Sequence, residues 1–265
     1  MKNIIKRIFL CVIIMTGIGL LTYPMVSDYV NRLHGSYAIS ELEQHVAQIE
    51  QGNLEKERRN AQEYNKRLPS DEMKDAYADI LNISDGIMGS LQIPKISVNL
   101  PIYHGTSEEI LEKGVGHLES SAFPVGGKGN HSVLTGHTGL PTAKLFTDLV
   151  QLKEGDHFYV HILDKTIAYC VNQIKVVLPD DGRDLAIVSD KDYCTLVTCT
   201  PYGVNSHRLL VRGERVDLPQ QQTLEQLNQE VNRKWGLAGY LILTGVLFLC
   251  MGILFVLKVH RKKNS

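Results

Sequence analysis

Close to its C-terminus the sequence contains a segment, 236–257, without a single charged residue. A segment of this length and composition is typical of an apolar helix that crosses a lipid bilayer. Trp235 precedes it, and basic residues follow it at Lys258, Arg261, Lys262 and Lys263. The pattern predicts a transmembrane helix at 236–257 and a basic cytoplasmic tail at 258–265.

A second apolar run lies near the N-terminus, at 8–26, and follows Lys2, Lys6 and Arg7. Its length suits either a membrane anchor or a signal peptide. The residues after its apolar core, Thr-Tyr-Pro-Met at 22–25, are not those of a cleavage site, which favours a retained anchor over residues 1–26. Because basic residues flank both runs at the extreme termini, we expect both termini in the cytoplasm and residues 27–234 outside the cell membrane. Cleavage of the first run would leave that outside assignment unchanged.

The overall composition is that of an ordinary folded protein. Lysine and arginine total 28, aspartate and glutamate total 29, and hydrophobic residues make up 43% of the chain. These values exclude a disordered chain and, by composition, a nucleic-acid binder. The predicted outer part is long enough for one domain with a hydrophobic core and a stalk.

Residues 27–87 are predicted to form a helical stalk. From Ser36 to about Gln62 the sequence is polar, with apolar residues at three- and four-residue spacing at Ile39, Leu42, Val46 and Ile49. This narrow stripe favours one helix that stands as a stalk or lies on the domain surface, rather than a coiled coil. A second short helix is predicted at 70–81, with Ser70 as its N-cap and Pro69 before it. A juxtamembrane linker is expected at 219–235.

After Gly86 the sequence changes to short apolar runs bounded by glycine, proline, asparagine and aspartate. We expect a helix at 142–150 and a turn of helix at 107–113. Many short strands separated by turns predict a mainly β domain, either a barrel or a sandwich. The glycine-rich stretch 126–129 is interpreted as a surface turn and not as a phosphate-binding loop. The predicted strands are 90–93, 98–103, 131–135, 157–162, 166–178, 193–198 and 207–216.

The cysteine count is odd, and two of the five cysteines, Cys11 and Cys250, fall within the predicted spans. At least one of the other three is therefore unpaired. Cys199 ends a β-branched run, and a proline and a glycine then turn the chain. A side chain at a strand end is exposed at the rim of a sheet while the strand fixes its direction, as a nucleophile requires. Cys194 lies on the opposite face and is predicted to be core, as is Cys170.

A cysteine nucleophile needs a neighbouring base or cation that favours its thiolate. Among ten histidines, His137 has a setting like that of Cys199, because it follows a predicted strand and a glycine. We therefore select His137 as the candidate proton-transfer partner. His131 and His207, each at the start of a predicted strand, remain competing candidates.

Acyl transfer also develops negative charge on a carbonyl oxygen, which a positioned cation stabilises. The predicted strand after Cys199 carries two arginines, Arg208 and Arg212. Because the two lie on the same face of that strand, alternation alone does not choose between them.

Three motifs in these segments resemble those of the sortase family. The run Thr-Leu-Val-Thr-Cys at 195–199 matches the TLxTC signature, 205–213 resembles the arginine-bearing strand, and 135–146 resembles the histidine segment. The similarity covers about 88–216. It implies a closed eight-stranded sortase-type β-barrel as the catalytic domain at 88–218. The two predicted spans and the long leading helix resemble the class C, or pilus-type, branch.

The resemblance also implies an activity. Cys199 is expected to attack the Thr–Gly bond of an LPXTG-like sorting signal and to form a thioacyl enzyme, which a lysine amine of a pilin subunit resolves. His137 is implied to protonate the departing amine. Arg208, which the resemblance selects over Arg212, is implied to stabilise the oxyanion. The implied partners are pilins or surface proteins with such signals, and the membrane; no nucleic acid, cofactor or metal is implied.

Three alternatives stay open at this point. A cysteine protease would use the same nucleophile and base, with water resolving the intermediate. A wall-anchoring sortase would attach its substrate to the cell wall. A non-enzymatic membrane scaffold would bind wall proteins and would not need Cys199.

One departure from the pilus-type pattern concerns the region before the barrel. Pilus-type sortases commonly carry an Asp-Pro-aromatic lid there, whose side chains cover the cysteine. The corresponding stretch here, 67–74, lacks that tripeptide. Met73 or Asp85 would have to replace it. We therefore expect a shortened or absent lid in the 27–87 region and a more open cleft.

Overall fold

A computed structural model of the chain describes residues 2–68, 74–218 and the single position Gly245. Within that part, one helix is long and apolar enough to cross a membrane, from Val12 to Gln48, near the N-terminus. Apart from Gly245, the predicted linker, C-terminal span and tail lie outside the described residues. The same holds for 69–73, which includes the predicted N-cap Ser70 and most of the stretch that corresponds to a lid.

Four α-helices are present in the described residues: α1 (Lys2–Gln48), α2 (Gln51–Lys66), α3 (Lys74–Tyr77) and α4 (Glu108–Lys113). The prediction of one helix at 36–62 was wrong, because the chain breaks at Ile49 and Glu50. Glu50 has extended dihedral angles, φ −60° and ψ 142°. The break lets each helix bury its own apolar residues on the curved domain, Ile39 and Leu42 from α1 and Leu54, Ala61 and Tyr64 from α2.

Eight strands close into one barrel, in the order β1-β2-β3-β4-β7-β8-β6-β5. The pairs β2–β3 and β4–β7 are parallel, and the others are antiparallel. The eight-stranded barrel implied by the resemblance is therefore confirmed. The strands are β1 (Ile87–Ile93), β2 (Val98–His104), β3 (Val115–His117), β4 (Asn130–Thr135), β5 (His157–Ile162), β6 (Lys165–Val177), β7 (Asp192–Thr200) and β8 (His207–Val216).

The predicted helix at 142–150 was wrong. The segment forms only a 3₁₀ turn, Thr147–Gln151. Leu145 has a left-handed φ of 39°, which an α-helix does not contain. Phe146 N–H donates to the carbonyl oxygen of His137 at 3.0 Å. The chain loops inward here to bury Leu145 and Phe146 in the core, and this packing outweighs the local preference for helix.

The two faces of the barrel wall have different roles. Side chains such as Cys194, Leu196 and Val211 point into the main core. On the opposite face, Val133, Val197 and Leu210 form a small separate apolar cluster. Because side chains alternate along a strand, Cys199 and Arg208 share this outer face with Val197 and Leu210.

The other two cysteines of the domain had been predicted to lie in the core. Cys194 is fully buried, which confirms its prediction. Cys170 is half-buried, so its prediction was wrong. Strand β6 directs Ile167, Tyr169 and Val171 inward, and alternation therefore turns Cys170 outward.

The part of α1 that follows its apolar run is fixed to the barrel by polar contacts. Asp28 accepts a hydrogen bond from the backbone N–H of Lys144 at 2.7 Å, in the loop that follows His137. Arg32 pairs with Asp28 at 2.9 Å and donates to the carbonyl oxygen of Ser97 at 3.0 Å. The long helix is thus attached to the same end loop that carries the candidate histidine.

Helix α3 is attached to the barrel by a buried aromatic group. The Tyr77 ring stacks on Phe123 and on His117, with centroid distances of 5.2 and 5.7 Å. The Tyr77 hydroxyl lies 2.9 Å from Nδ1 of His117. Nε2 of His117 lies 2.9 Å from the carbonyl oxygen of Ala122. Burial of His117 lowers its pKa to about 4.

We expect this histidine to make the domain less stable as the pH falls. The folded-state pKa of His117 is about 4, below its ordinary value of 6.5. Between these values the unfolded chain binds a proton that the folded chain does not bind. The stabilisation by neutral His117 is therefore complete above pH 6.5 and is lost towards pH 4, by about 3 kcal/mol. Thermal unfolding of the full chain in detergent micelles between pH 7.5 and 4.5 measures the loss.

A pair of variants isolates the contribution of His117. His117→Gln removes the titrating ring. It is expected to reduce the slope of the unfolding free energy against pH by the contribution of about one bound proton. His157→Gln, at an exposed position on β5, is expected to keep the wild-type slope. An unchanged slope in His117→Gln would contradict the assignment.

Candidate active site

The register of β7 and β8 places Cys199 directly opposite Arg208. Directly paired residues of antiparallel strands lie on the same face, with their side chains adjacent. Cys199 lies inside β7, next to the strand's last residue, Thr200. The predicted strand-end position of the cysteine is therefore confirmed to within one residue.

The parallel pairing of β4 with β7 brings the histidine to the same end of the barrel. Thr135 pairs with Val197, and the N–H of Gly136 donates to the carbonyl oxygen of Val197 at 3.0 Å. The hydroxyl of Thr198 donates to the carbonyl oxygen of Gly136 at 2.7 Å. One residue further along each chain, this register brings His137 level with Cys199.

The three predicted residues thus lie on or directly after adjacent strands: Cys199 in β7, Arg208 in β8, and His137 two residues after the end of β4. Cys199 and Arg208 are half-buried, and the His137 side chain is 20% exposed. This register brings together, at one end of the barrel, the residue types that nucleophilic acyl transfer requires: a partly exposed thiol, an imidazole and a guanidinium.

The two arginines of β8 have different surroundings. Nη1 of Arg208 donates to the carbonyl oxygens of Asn205 and His207, at 3.3 and 3.2 Å. Within the described part of the chain, no carboxylate forms an ion pair with Arg208. Arg212 instead donates from Nε to Asn172 at 3.1 Å and covers the ring of Tyr193 at 4.3 Å. The charge of Arg208 is therefore available to a substrate, whereas Arg212 is engaged within the protein.

The competing histidines occupy other positions. His131 is buried, with Nε2 2.7 Å from Oγ1 of Thr195 and Nδ1 2.9 Å from the carbonyl oxygen of Ala186. Burial lowers the pKa of His131, which favours its neutral form. It connects the β6–β7 loop to the sheet. His207 pairs with Thr200 at the rim, and its Nδ1 lies 2.9 Å from the Ser206 hydroxyl.

The loops beside the site pack against each other. Gly139 has a φ of 75°, and a Cβ placed there would lie 3.2 Å from the ring of Tyr202. Any larger residue at Gly139 would be strained and would press on this ring. The loop after His137 and the loop after Cys199 are therefore in contact. On the same face, Leu185 of the β6–β7 loop packs against the outer apolar cluster.

Sequence reasoning missed one charged residue at the site. Oε1 of Glu108, in the first turn of α4, lies 3.3 Å from Nε2 of His137. The contact is within ion-pair distance, but its alignment does not satisfy hydrogen-bond geometry, so Nε2 is a buried nitrogen without a hydrogen-bond partner. No motif around Glu108 indicates this role, because the contact arises from the packing of α4 against β3, the neighbour of β4.

Across residues 2–68 and 74–218, no group of three or more histidine, cysteine, aspartate or glutamate side chains is arranged to hold a metal ion.

Of the residues considered as lid substitutes, Met73 lies outside the described residues. Asp85 occupies an exposed turn with a φ of 44°.

A cysteine, a histidine and an arginine at the end of adjacent strands of a closed mixed barrel form the arrangement expected of an enzyme that forms a thioacyl intermediate on cysteine. A model of the sortase domain matches residues 91–216. The solved structure of sortase C1 from Streptococcus agalactiae is 48% identical, with a TM-score of 0.66, and the match covers 69% of this chain and all of that one. The chain therefore belongs to the sortase family, whose members are cysteine transpeptidases.

Two further comparisons, one with a sortase C and one with a sortase A, place the chain among its relatives. A sortase C of Streptococcus pneumoniae, whose crystal structure is described as informative on catalysis and pilin substrate specificity, is 46% identical. The TM-score is 0.65, and the match covers 69% of this chain and 97% of the other. Sortase A of Bacillus anthracis is 33% identical over 132 residues, or 49% of this chain and 60% of that protein. The chain thus spans less than two thirds of this curated relative, and its solved structural neighbours include the two sortase C structures above.

Proposed function

We propose that this chain is a membrane-anchored sortase of the pilus type. It cleaves an LPXTG-like sorting signal between threonine and glycine and transfers the acyl group to a lysine amine of a pilin subunit. The observation that carries this proposal is the register of β4, β7 and β8, which pairs Cys199 with Arg208 and sets the segment before His137 beside the strand of Cys199. Likeness to class C structures supports the choice of pilin as substrate.

The first half of the reaction forms a thioester. The thiolate sulfur of Cys199 attacks the threonine carbonyl carbon, and the carbonyl electron pair moves onto oxygen, where the guanidinium of Arg208 stabilises the negative charge. The tetrahedral intermediate collapses, the carbon–nitrogen bond breaks, and the imidazolium of His137 gives its proton to the departing glycine amine. The second half reverses these roles: the lysine amine attacks the thioester, His137 takes a proton from it, and the thiolate leaves.

The long α1 helix supports membrane anchoring. It extends without a break from the apolar run at 8–26 to Gln48, and its Asp28 and Arg32 contact the barrel. Helix α1 therefore connects the bilayer directly to the catalytic domain. The positive-inside pattern of both termini supports an extracellular barrel with both termini in the cytoplasm.

The test of this function uses the full chain in detergent micelles, an LPXTG-type peptide and an added amine, either a lysine-containing pilin peptide or triglycine. Transfer to the lysine peptide supports the pilus-type proposal. Transfer to triglycine alone indicates wall anchoring. Hydrolysis alone, with amine in excess, indicates a cysteine protease and contradicts the proposal.

We also infer that the cleft over Cys199 is open, because 67–74 lacks the Asp-Pro-aromatic lid and Cys199 is half-buried rather than enclosed. Alkylation of Cys199 in the folded chain is then expected at a rate within about 10-fold of a free thiol peptide of equal pKa. Cys194, fully buried in the barrel, serves as the internal control and is expected to stay unmodified. A Cys199 rate far below that of the peptide would contradict an open cleft.

A further inference from the structure

The imidazole of His137 faces a carboxylate from an element that none of the sequence motifs includes. Oε1 of Glu108 lies 3.3 Å from Nε2 of His137. This nitrogen is buried and has no hydrogen-bond partner. The carboxylate is thus the group that can satisfy it after a small rotation of an exposed side chain.

Helix α4 is held firmly in this position. It leads directly into β3, whose Gly116 pairs with Thr135 of β4, two residues before the histidine. A Cβ at Gly116 would lie 2.3 Å from the carbonyl oxygen of Gly105 and 3.0 Å from a methyl carbon of Leu111. The residues before α4 and α4 itself are therefore packed tightly against β3, which gives Glu108 a fixed place on this side of the barrel.

Glu108 and its neighbour in sequence have different partners. The side chain of Glu108 is 75% exposed and approaches the 20% exposed His137 side chain. Glu109 instead forms an ion pair with Lys113, at 2.6 Å, within α4. Two adjacent residues of the same type thus differ in whether they contact the candidate catalytic ring.

A neutral imidazole carries one N–H and one nitrogen with a free lone pair, and the partner of one nitrogen selects the role of the other. A carboxylate only accepts hydrogen bonds, so a carboxylate at Nε2 selects the tautomer with the proton on Nε2. Nδ1 of His137 makes no hydrogen bond to the described residues. Its lone pair is then available to a proton from the substrate.

We propose that Glu108 is a positioning residue for His137. Its carboxylate accepts a hydrogen bond from Nε2–H, holds the ring in place, and keeps the Nδ1 lone pair for proton transfer. This inference rests on the proposed role of His137 as the group that moves a proton during acyl transfer. Glu108 itself does not contact the reacting atoms.

The test compares the full chain in detergent micelles with three variants, Glu108→Ala, Glu108→Gln and the matched control Glu109→Ala. Histidine labelled with nitrogen-15 reports the Nε2–H proton of His137, which is observable when a hydrogen bond slows its exchange with water. The second readout is kcat and KM for transfer of an LPXTG-type peptide to an added amine.

Glu108→Ala is expected to lose the Nε2–H signal and to lower kcat by about 10-fold with little change in KM. Glu108→Gln keeps the side-chain length and an acceptor oxygen, so it is expected to retain the signal and an intermediate kcat. Glu109→Ala is expected to match the wild type in both readouts.

Two results would overturn the proposal: persistence of the Nε2–H signal in Glu108→Ala, or loss of the signal with unchanged kcat. If the proposed sortase function is wrong, the experiment gives a result that differs from both of these. A wild-type chain that shows the signal but transfers no acyl group would refute that function, and with it the catalytic purpose of the contact, while the contact itself would stand.

Discussion

Replacement of Cys199 with alanine is expected to lower the rate of acyl transfer by about 10⁴-fold or more. The thioester cannot form without the sulfur, and neither His137 nor Arg208 replaces it as a nucleophile. Cys199 is half-buried at the end of the barrel, so its side chain contributes little to the core. The variant is therefore expected to unfold at the wild-type temperature. Transfer is measured with the full chain, a sorting-signal peptide and an added amine.

Cys170→Ala provides the matched control for this experiment. Cys170 is also a free, half-buried thiol on the outer face of the barrel, but it lies on β6 and pairs with Glu214 and His157. Its replacement is expected to leave the rate unchanged. Wild-type transfer by Cys199→Ala, or a lost activity in Cys170→Ala, would refute the assignment of the nucleophile.

Replacement of Arg208 with glutamine is expected to lower kcat by about 10²- to 10³-fold, the effect of removing one preorganised group that stabilises an oxyanion. Arg208 lies directly opposite Cys199 and makes only carbonyl contacts within the described chain. No carboxylate of the described residues neutralises its charge, which leaves that charge free to stabilise an oxyanion formed at Cys199. The measurement is single-turnover formation of the thioacyl enzyme.

Arg212→Gln is the matched control, because it changes the same residue type on the same strand and face. The guanidinium of Arg212 donates a hydrogen bond to Asn172 and stacks over the ring of Tyr193. Its replacement is expected to lower the thermal stability and to leave kcat close to the wild-type value. The opposite pattern, with activity lost in Arg212→Gln and retained in Arg208→Gln, would show that the wrong arginine had been selected.

The strands could be predicted closely where polar and apolar residues alternate between clear turns. The bounds of β5 (His157–Ile162) and β8 (His207–Val216) agree with the predicted ones. Strand β3 (Val115–His117) was missed, because three residues are too few to show a period. The helix at 142–150 was predicted from local preference. Burial of Leu145 and Phe146 instead gives a loop that ends in a 3₁₀ turn. The break at Glu50 likewise depends on the shape of the barrel beneath the helices.

The site could be predicted only in part, for related reasons. Local patterns identified Cys199 and His137 because each follows a predicted strand, but the distance between them in the chain gave no information on their proximity. The parallel pairing of β4 with β7 brings them together, and pairing partners are not visible in one sequence. Arg208 and Arg212 share a face, so only their contacts separate them. Glu108 has no motif and was found only through its distance to His137.

The most direct test of the central claim is the mass of the intermediate. The full chain is mixed with an LPXTG-type peptide without an amine, quenched in acid, digested, and analysed by mass spectrometry. The peptide that contains Cys199 is expected to gain the mass of the substrate fragment ending in threonine, and the gain is expected to disappear when an amine is added. Product formation without any adduct on Cys199, or an adduct on Cys170 instead, would contradict the account.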